Sequence, residues 1–165
     1  MKVLVTGGGG FLGGFIVRQL LDRGDNVRSF SRGFYNDLRK LGVEQCQGPF
    51  DDLKAVSEAV AGCNAVIHVG GKVGSWGAYE DYYRANVTGT ENVINACMKH
   101  GVKRLVYTSS PSAIFNRNNM IGVDESVPYP KHATHYSKTK AIAERLMIGA
   151  NGNNLRTVSL RPRLI

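Results

Sequence analysis

Val3-Leu4-Val5-Thr6-Gly7-Gly8-Gly9-Gly10-Phe11-Leu12-Gly13 joins a short apolar run to a glycine cluster and then to an apolar-periodic segment. Gly7, Gly10 and Gly13 are spaced three apart. In a strand–turn–helix unit, glycines let the backbone turn sharply and approach a pyrophosphate closely. The amides of the new helix N-terminus then point at that anion. Glycines at a strand end also serve in plain turns, so the stretch gains its meaning from a second constellation. That constellation is Tyr136-Ser137-Lys138-Thr139-Lys140, with Ser109 and Ser110 upstream.

Outward from the glycines, strands and helices alternate. Lys2 to Thr6 reads as a buried strand. Phe11 to Arg23 reads as a helix with Leu12, Phe15, Ile16 and Leu20 on one face and a stop at Gly24. Asn26 to Ser31 and Val43 to Gln47 read as strands, with a short helix or turn over Asp37 to Leu41 between them. Asp52 is placed to N-cap a helix ending near Val60. Ala65 to Val69 is a fourth strand, and Tyr79 to Lys99 a long helix with Val87, Thr90, Ile94 and Met98 at helical spacing. Arg104 to Thr108 is a fifth strand. A long irregular stretch from Ser109 to Ala133 follows, and a loop of that length in a compact domain is more often functional than idle. Tyr136 to Ala150 is a helix and Thr157 to Leu160 a sixth strand. Such alternation demands an α/β fold, a doubly wound parallel sheet of about six strands with helices on both faces. Its ligand belongs at the C-terminal ends of the strands, where strand order reverses.

The chain has 165 residues, enough for one domain, with 42% hydrophobic and 21% charged residues. No apolar run approaches a membrane span, and Val3-Leu4-Val5 is too short for a signal peptide. Cys46, Cys63 and Cys97 have no metal-site spacing and read as reduced thiols of a cytoplasmic protein; no metal is expected. The net charge of +8 is spread from Lys2 to Arg163 without a dense basic block. It fits a field that draws in an anionic cofactor or substrate, or a chain that is part of a longer protein, better than it fits nucleic-acid binding.

The chain resembles the extended short-chain dehydrogenase/reductase superfamily, also described as NAD-dependent epimerases and dehydratases. The carrying motifs are Thr6 to Gly13, His68-Val69-Gly70-Gly71, Asn86-Val87-Thr88-Gly89-Thr90, Tyr107-Thr108-Ser109-Ser110, Tyr136 to Lys140, and Arg161-Pro162 with Ile165. Val106 to Phe115 and Val123-Asp124-Glu125-Ser126 look most like its 3β-hydroxysteroid dehydrogenase group, and bacterial members acting on long-chain β-keto or β-hydroxy acids are similar. The resemblance implies an NAD(P)-binding Rossmann domain over residues 1–165 and a cytoplasmic NAD(P)(H)-dependent oxidoreductase. Its substrate would be a small molecule, sterol-like or a long-chain β-keto acid. Such proteins continue for another hundred or more residues that build most of the substrate pocket, so this chain is expected to be the cofactor-binding part. A homodimer through the helices Tyr79 to Lys99 and Tyr136 to Ala150 is a further expectation by analogy.

Four departures from the pattern stand out. The chain is expected to lack the C-terminal substrate part. Strand two ends in Ser29-Phe30-Ser31-Arg32 in place of an acid that holds the adenosine ribose. Gly48-Pro49-Phe50 replaces Gly-Asp-Leu, removing an aspartate that touches the adenine. Gly70-Gly71 replaces paired alanines, a change expected to loosen that loop.

The resemblance assigns Ser110, Tyr136 and Lys140 to catalysis. It assigns Gly7, Gly10, Phe11, Leu12, Gly13, Arg32, Val69, Gly70, Thr108, Tyr136, Lys140 and Pro162 to the cofactor. Residues four apart on a helix share a face, as Tyr136 and Lys140 do. An ammonium beside a phenol favours the phenolate and makes it a usable acid–base group. Ser110 is favoured over Ser109 as the catalytic serine by its place in the motif. Asn86 either positions the catalytic helix or is an ordinary exposed helix residue. Arg32 either pairs with the 2′-phosphate of NADP, the favoured cofactor with NAD as the alternative, or is a solvated cation. Asp52 reads as a helix cap rather than as half of a carboxylate pair with Asp51, Asp124-Glu125 as solvated, and His132 and His135 as surface residues. Trp76 and Tyr79 read as lining an apolar pocket or as core. A sugar-nucleotide epimerase or dehydratase is the competing enzyme class, disfavoured against the dehydratases by Pro111-Ser112 after Ser110. A non-catalytic dinucleotide-binding module is disfavoured by the presence of both Tyr136 and Lys140.

Overall fold

The computed structural model describes residues 1–74 and 76–163. Leu164 and Ile165, the latter part of the resemblance, lie outside the described residues. In chain order the elements are β1 (Lys2–Thr6), α1 (Phe11–Asp22), β2 (Asn26–Ser31), α2 (Asn36–Lys40), β3 (Glu44–Gln47), α3 (Leu53–Val60) and β4 (Ala65–His68). Then follow α4 (Tyr79–Tyr82), a π-helical turn (Tyr83–Thr88), α5 (Gly89–Lys99), β5 (Arg104–Thr108), a 3₁₀ turn (Pro111–Ala113), α6 (His135–Gly149) and β6 (Arg156–Leu160).

All the strands pair in parallel in the order β3-β2-β1-β4-β5-β6. Strand order reverses between β1 and β4, so the crevice above their C-terminal ends is where a doubly wound sheet binds its ligand. Alternate side chains of the strands feed two cores, one on each face. Val3, Val5, Val27 and Ile67 pack with Val17, Leu20 and Leu38 under α1 and α2. Leu4, Phe30, Val66, Leu105 and Tyr107 pack with Val56, Val93 and Met147 under α3, α5 and α6. Helices therefore cover both faces, as the alternation requires.

Two periodicity readings change. The buried stripe of α1 is Gly13, Val17 and Leu20, whereas Phe11 and Phe15 stand exposed, edge to face at 5.1 Å. Gly13 sets this rotation: a Cβ there would lie 2.1 Å from the Gly7 carbonyl oxygen, so this position must face the strand and Phe15 is turned outward. The long helix after β4 is interrupted by the π turn. Val87, Thr90 and Ile94 are buried as expected, but Met98, in the last turn, is half exposed beyond the core. Asp52 caps α3 as expected, its carboxylate accepting from the Ala55 amide at 3.1 Å.

Candidate active site

The glycine stretch leaves β1 through Gly7, whose φ of +70° is a left-handed backbone that glycine adopts without strain. A Cβ on Gly7 would meet the Gly70 Cα at 2.9 Å, so this turn and the loop after β4 touch backbone to backbone. The Gly10 amide closes the turn onto the Gly7 carbonyl at 2.9 Å, and α1 starts without a side-chain cap. Its first amides are left for an anion.

Above this turn lies a cavity of about 680 Å³ at the C-terminal edge of β1, β4 and β5. Every residue that the resemblance assigned to the site lines it: Gly7, Gly10, Phe11, Leu12 and Gly13 from the first turn, Arg32 after β2, Val69 and Gly70 after β4, Thr108 and Ser110 at the end of β5, Tyr136 and Lys140 on α6, and Pro162 after β6. Ser109 also lines it, but its side chain is buried and its hydroxyl has no hydrogen-bond partner among the described residues. Ser110 is more open and shares a 2.9 Å hydrogen bond with the Ser112 hydroxyl.

Thr134 caps α6 by accepting from the Ser137 amide at 3.0 Å. That cap sets the first turn, which carries Tyr136. One turn on, Lys140 is buried, donates to the Thr108 carbonyl at 2.5 Å and sits 4.2 Å above the Tyr107 ring. Burial lowers its pKa to about 7, a shift that the Glu144 carboxylate opposes. Glu144 is itself buried and bound by the Arg161 guanidinium, and the Tyr129 hydroxyl donates to it at 2.7 Å. Burial pushes its carboxyl up, but hydrogen bonds led by Arg161 prevail and hold it below the ordinary carboxylate range. This one carboxylate therefore ties the segment bearing Pro162 and the long loop bearing Tyr129 to the helix of Tyr136 and Lys140.

Asn86 is buried in the π turn, which overturns the exposed reading. It accepts from the Lys72 amide at 2.7 Å, donates to the Lys72 carbonyl at 3.0 Å and to Thr139 of α6 at 3.1 Å. The loop after β4 is not loosened by its glycines either. The Phe50 ring fills the space there, and a Cβ on Gly70 would lie 2.2 Å from it. Trp76 is 91% exposed, neither core nor cavity wall, while Tyr79 packs against His135 at 5.4 Å. Asp51 approaches Arg84 at 4.0 Å and does not pair with Asp52. Asp124 and Glu125 are exposed, as expected. Cys63 and Cys97 are buried and Cys46 partly so, all as free thiols.

The profile of the 3-beta hydroxysteroid dehydrogenase/isomerase family matches residues 4–165. The chain belongs to that family. It is 51% identical to the 2-alkyl-3-oxoalkanoate reductase of Stenotrophomonas maltophilia, over 100% of this chain and 51% of that protein. It is 38% identical to the 3 beta-hydroxysteroid dehydrogenase/Delta 5→4-isomerase of Mycobacterium tuberculosis, over 98% of this chain and 46% of that protein. Among solved structures, a short-chain dehydrogenase/reductase superfamily protein from Agrobacterium tumefaciens with bound NAD superposes with a TM-score of 0.86 at 30% identity, over 98% of this chain and 48% of that one. The chain spans about half the length of the curated relatives it matches.

Within this family frame, the sequence reading missed Tyr35, Phe50, Lys72 and the Glu144 clamp. Tyr35 lines the cavity, and its ring covers Gly9, where a Cβ would lie 2.3 Å from it. The Gln45 side chain holds the Tyr35 backbone from both sides, at 2.9 and 3.0 Å. Only Glu144 carried a signal, standing four residues after Lys140 and so on the same helical face. Among the described residues no group of three or more metal-ligand side chains gathers, and no helix is long and apolar enough to cross a membrane.

Proposed function

We propose that this chain is the cofactor-binding part of an NAD(P)(H)-dependent oxidoreductase that interconverts a ketone and a hydroxyl on a long-chain β-keto acid. The observation that carries the reading is the convergence of Ser110, Tyr136 and Lys140 with the glycine turn on one cavity. The turn suits a dinucleotide. Its glycines meet backbone at distances no Cβ would tolerate, α1 begins uncapped, and the volume lies in the range of cofactor sites. The β-keto acid is preferred to a sterol because the 51% identical relative is named for 2-alkyl-3-oxoalkanoates.

In this reading the amides of Phe11 and Leu12 would hold the pyrophosphate and Arg32 a 2′-phosphate, which favours NADP. Arg32 is exposed at the cavity and makes no ion pair among the described residues. The bound nicotinamide would supply or accept the hydride. Ser110 would donate its hydroxyl proton in a hydrogen bond to the substrate carbonyl. Tyr136 would pass the phenolic proton to that oxygen as it becomes a hydroxyl. Lys140, anchored on the Thr108 carbonyl, would stabilise the phenolate left behind. A companion copy held through the long helices and a cytoplasmic site remain part of the proposal.

A thermal-shift titration of this chain with NADPH, NADP, NADH and NAD tests the binding part. A specific ligand at a hundredfold excess over its Kd adds about 2.7 kcal/mol. Stabilisation is expected and is largest with the phosphorylated pair; no shift with any of the four would sink the reading. For the chemistry, Tyr136→Phe is expected to cut turnover of a long-chain 3-oxo acid by about a hundredfold or more while NADPH still binds. Turnover within threefold of the parent would remove Tyr136 from the mechanism.

A further inference from the structure

Beneath the cavity floor lies a buried polar chain that neither the binding of a dinucleotide nor the proton transfer above uses directly. It starts at the amides of Val69 and Gly70, two residues of the cavity wall. Both lie 3.1 Å from the Thr6 hydroxyl oxygen. Amides only donate, so this oxygen accepts twice, and its single proton is left to donate. His68 Nδ1 stands 2.7 Å away to receive it. Thr6 and His68 are register partners on β1 and β4, so their side chains emerge side by side on the same face.

A ring nitrogen that accepts carries no proton. The proton of the imidazole therefore sits on Nε2, which faces the Thr90 hydroxyl at 3.1 Å. The Thr90 hydroxyl in turn donates to the Asn86 carbonyl at 2.7 Å. Every bond in the chain then points one way. His68 is fully buried, stacked on Tyr107 at 5.5 Å and edge-on to Phe50 at 5.6 Å, so the ring cannot turn to another partner. Burial, reinforced by the nearby Lys140 ammonium, holds its pKa at about 3 and keeps the ring uncharged.

The chain ends on the residue that governs the other side of the site. The Asn86 side chain grips both backbone groups of Lys72 and reaches Thr139 on α6. The loop from Val69 to Lys72 is thus held at its start through Thr6 and His68, and at its end through Asn86.

We infer that His68 is a positioning residue of this site: fixed as the Nε2–H tautomer, it couples the cavity-lining loop after β4 to the π turn whose Asn86 holds the helix of Tyr136 and Lys140. A space-filling histidine would need neither a defined tautomer nor a direction. The affinity readout below rests on the proposed dinucleotide function. The tautomer readout does not.

Nitrogen-15 NMR of the histidine side chains of this chain at neutral pH reads the tautomer. For His68, Nδ1 is expected in the unprotonated range and Nε2 in the protonated range. The reverse pattern, an averaged pair or an imidazolium would overturn the inference. Thr6→Ser keeps the hydroxyl and is expected to hold the signature and NADPH affinity within about twofold. Thr6→Val removes the donor to Nδ1 and strands two amides. It is expected to move the His68 signals and weaken NADPH about tenfold, the scale of unsatisfied buried donors. His68→Leu is expected to lose a similar factor while keeping its far-ultraviolet spectrum, and a folded His68→Leu that binds NADPH as the parent does would overturn the inference. If His68→Leu does not fold, the Thr6 pair decides. If the parent binds no dinucleotide, the proposed function falls, and the tautomer alone decides the role of His68.

Discussion

The two walls of the cavity work in opposite ways. The wall made by β1, α1 and the loop after β4 is almost wholly backbone. Gly7 and Gly13 approach neighbouring backbone, and Gly70 the Phe50 ring, at distances that leave no room for a Cβ, and the electrostatics come from helix amides. The wall made by β5, α6 and the segment after β6 is side chain. Lys140 is buried, and Glu144, Arg161 and Tyr129 form a network behind it. The first wall therefore takes an added atom only where a neighbour can give way, which the backbone facing Gly7 and Gly13 cannot. The second stores an unfavourable charge state where the chemistry is proposed, and is expected to gain stability when function is removed.

The sharpest way to break this contrast is Gly13→Ala. The new Cβ would sit 2.1 Å from the Gly7 carbonyl oxygen and 2.9 Å from the Gly8 Cα, both backbone atoms. Relief requires moving α1 off β1. A loss of about 3 kcal/mol or more is expected, on the scale of severe overpacking, together with loss of any NADPH-induced thermal shift. Melting within 2 °C of the parent would mean that the glycine turn is slack.

Next comes Gly70→Ala, where the obstacle is a ring. The added methyl would meet Phe50 Cζ at 2.2 Å, and Phe50 is wedged between Phe30 and His68. About 2 kcal/mol of destabilisation is expected. In the background of Phe50→Leu the same alanine should be nearly neutral, because the smaller side chain leaves the space. A double-mutant cycle measures this coupling, and strict additivity would disprove it. Phe50 and Gly70 are thus sterically linked, the ring occupying the space that a side chain at position 70 would need.

That pairing marks where the sequence stops being legible. The alternation of apolar runs and helical stretches was enough for the parallel sheet, because each element carries its own period. The resemblance carried by the glycine and Tyr-Lys motifs was enough to collect the cavity wall, and the strand ends of a doubly wound sheet converge there. The rotation of α1 was not readable: Phe11, Leu12, Phe15 and Ile16 are all apolar, and only the contact of Gly13 with Gly7 chooses among them. The burial of Asn86 depends on a π turn that no composition signals. Glu144 finds Arg161 and Tyr129 from 17 and 15 residues away, by tertiary packing alone.

On the second wall the test is Lys140→Met. Lys140 titrates near 7 in the folded chain against an ordinary 10.5. Between these values the unfolded chain holds a proton that the folded chain has released, so stability rises with pH from about 7 towards 10.5. Methionine removes that slope. At pH 6 it is expected to stabilise the chain by about 2 kcal/mol, as replacement of buried charge by apolar volume often does. The same change should weaken NADPH binding and abolish turnover. Denaturant midpoints at pH 6 and pH 9, compared with those of the parent, check the sign. A variant less stable than the parent at pH 6 would mean that the bond to the Thr108 carbonyl outweighs the burial of the ammonium.

The smallest effect belongs to Arg32, a charged side chain on the rim of the backbone wall. Arg32 is exposed, so its contribution to folding is slight, and Arg32→Ser should melt within about 0.5 kcal/mol of the parent. Its proposed role is selective. A guanidinium facing a 2′-phosphate adds charge-assisted hydrogen bonds that the 2′-hydroxyl of NAD cannot replace. Removing it is expected to cut NADPH affinity by five- to tenfold, about 1 kcal/mol, and to leave NADH unchanged. Equal weakening of both would mean that Arg32 stacks on the part the two cofactors share. In that case the backbone wall would recognise the dinucleotide without choosing between its two forms.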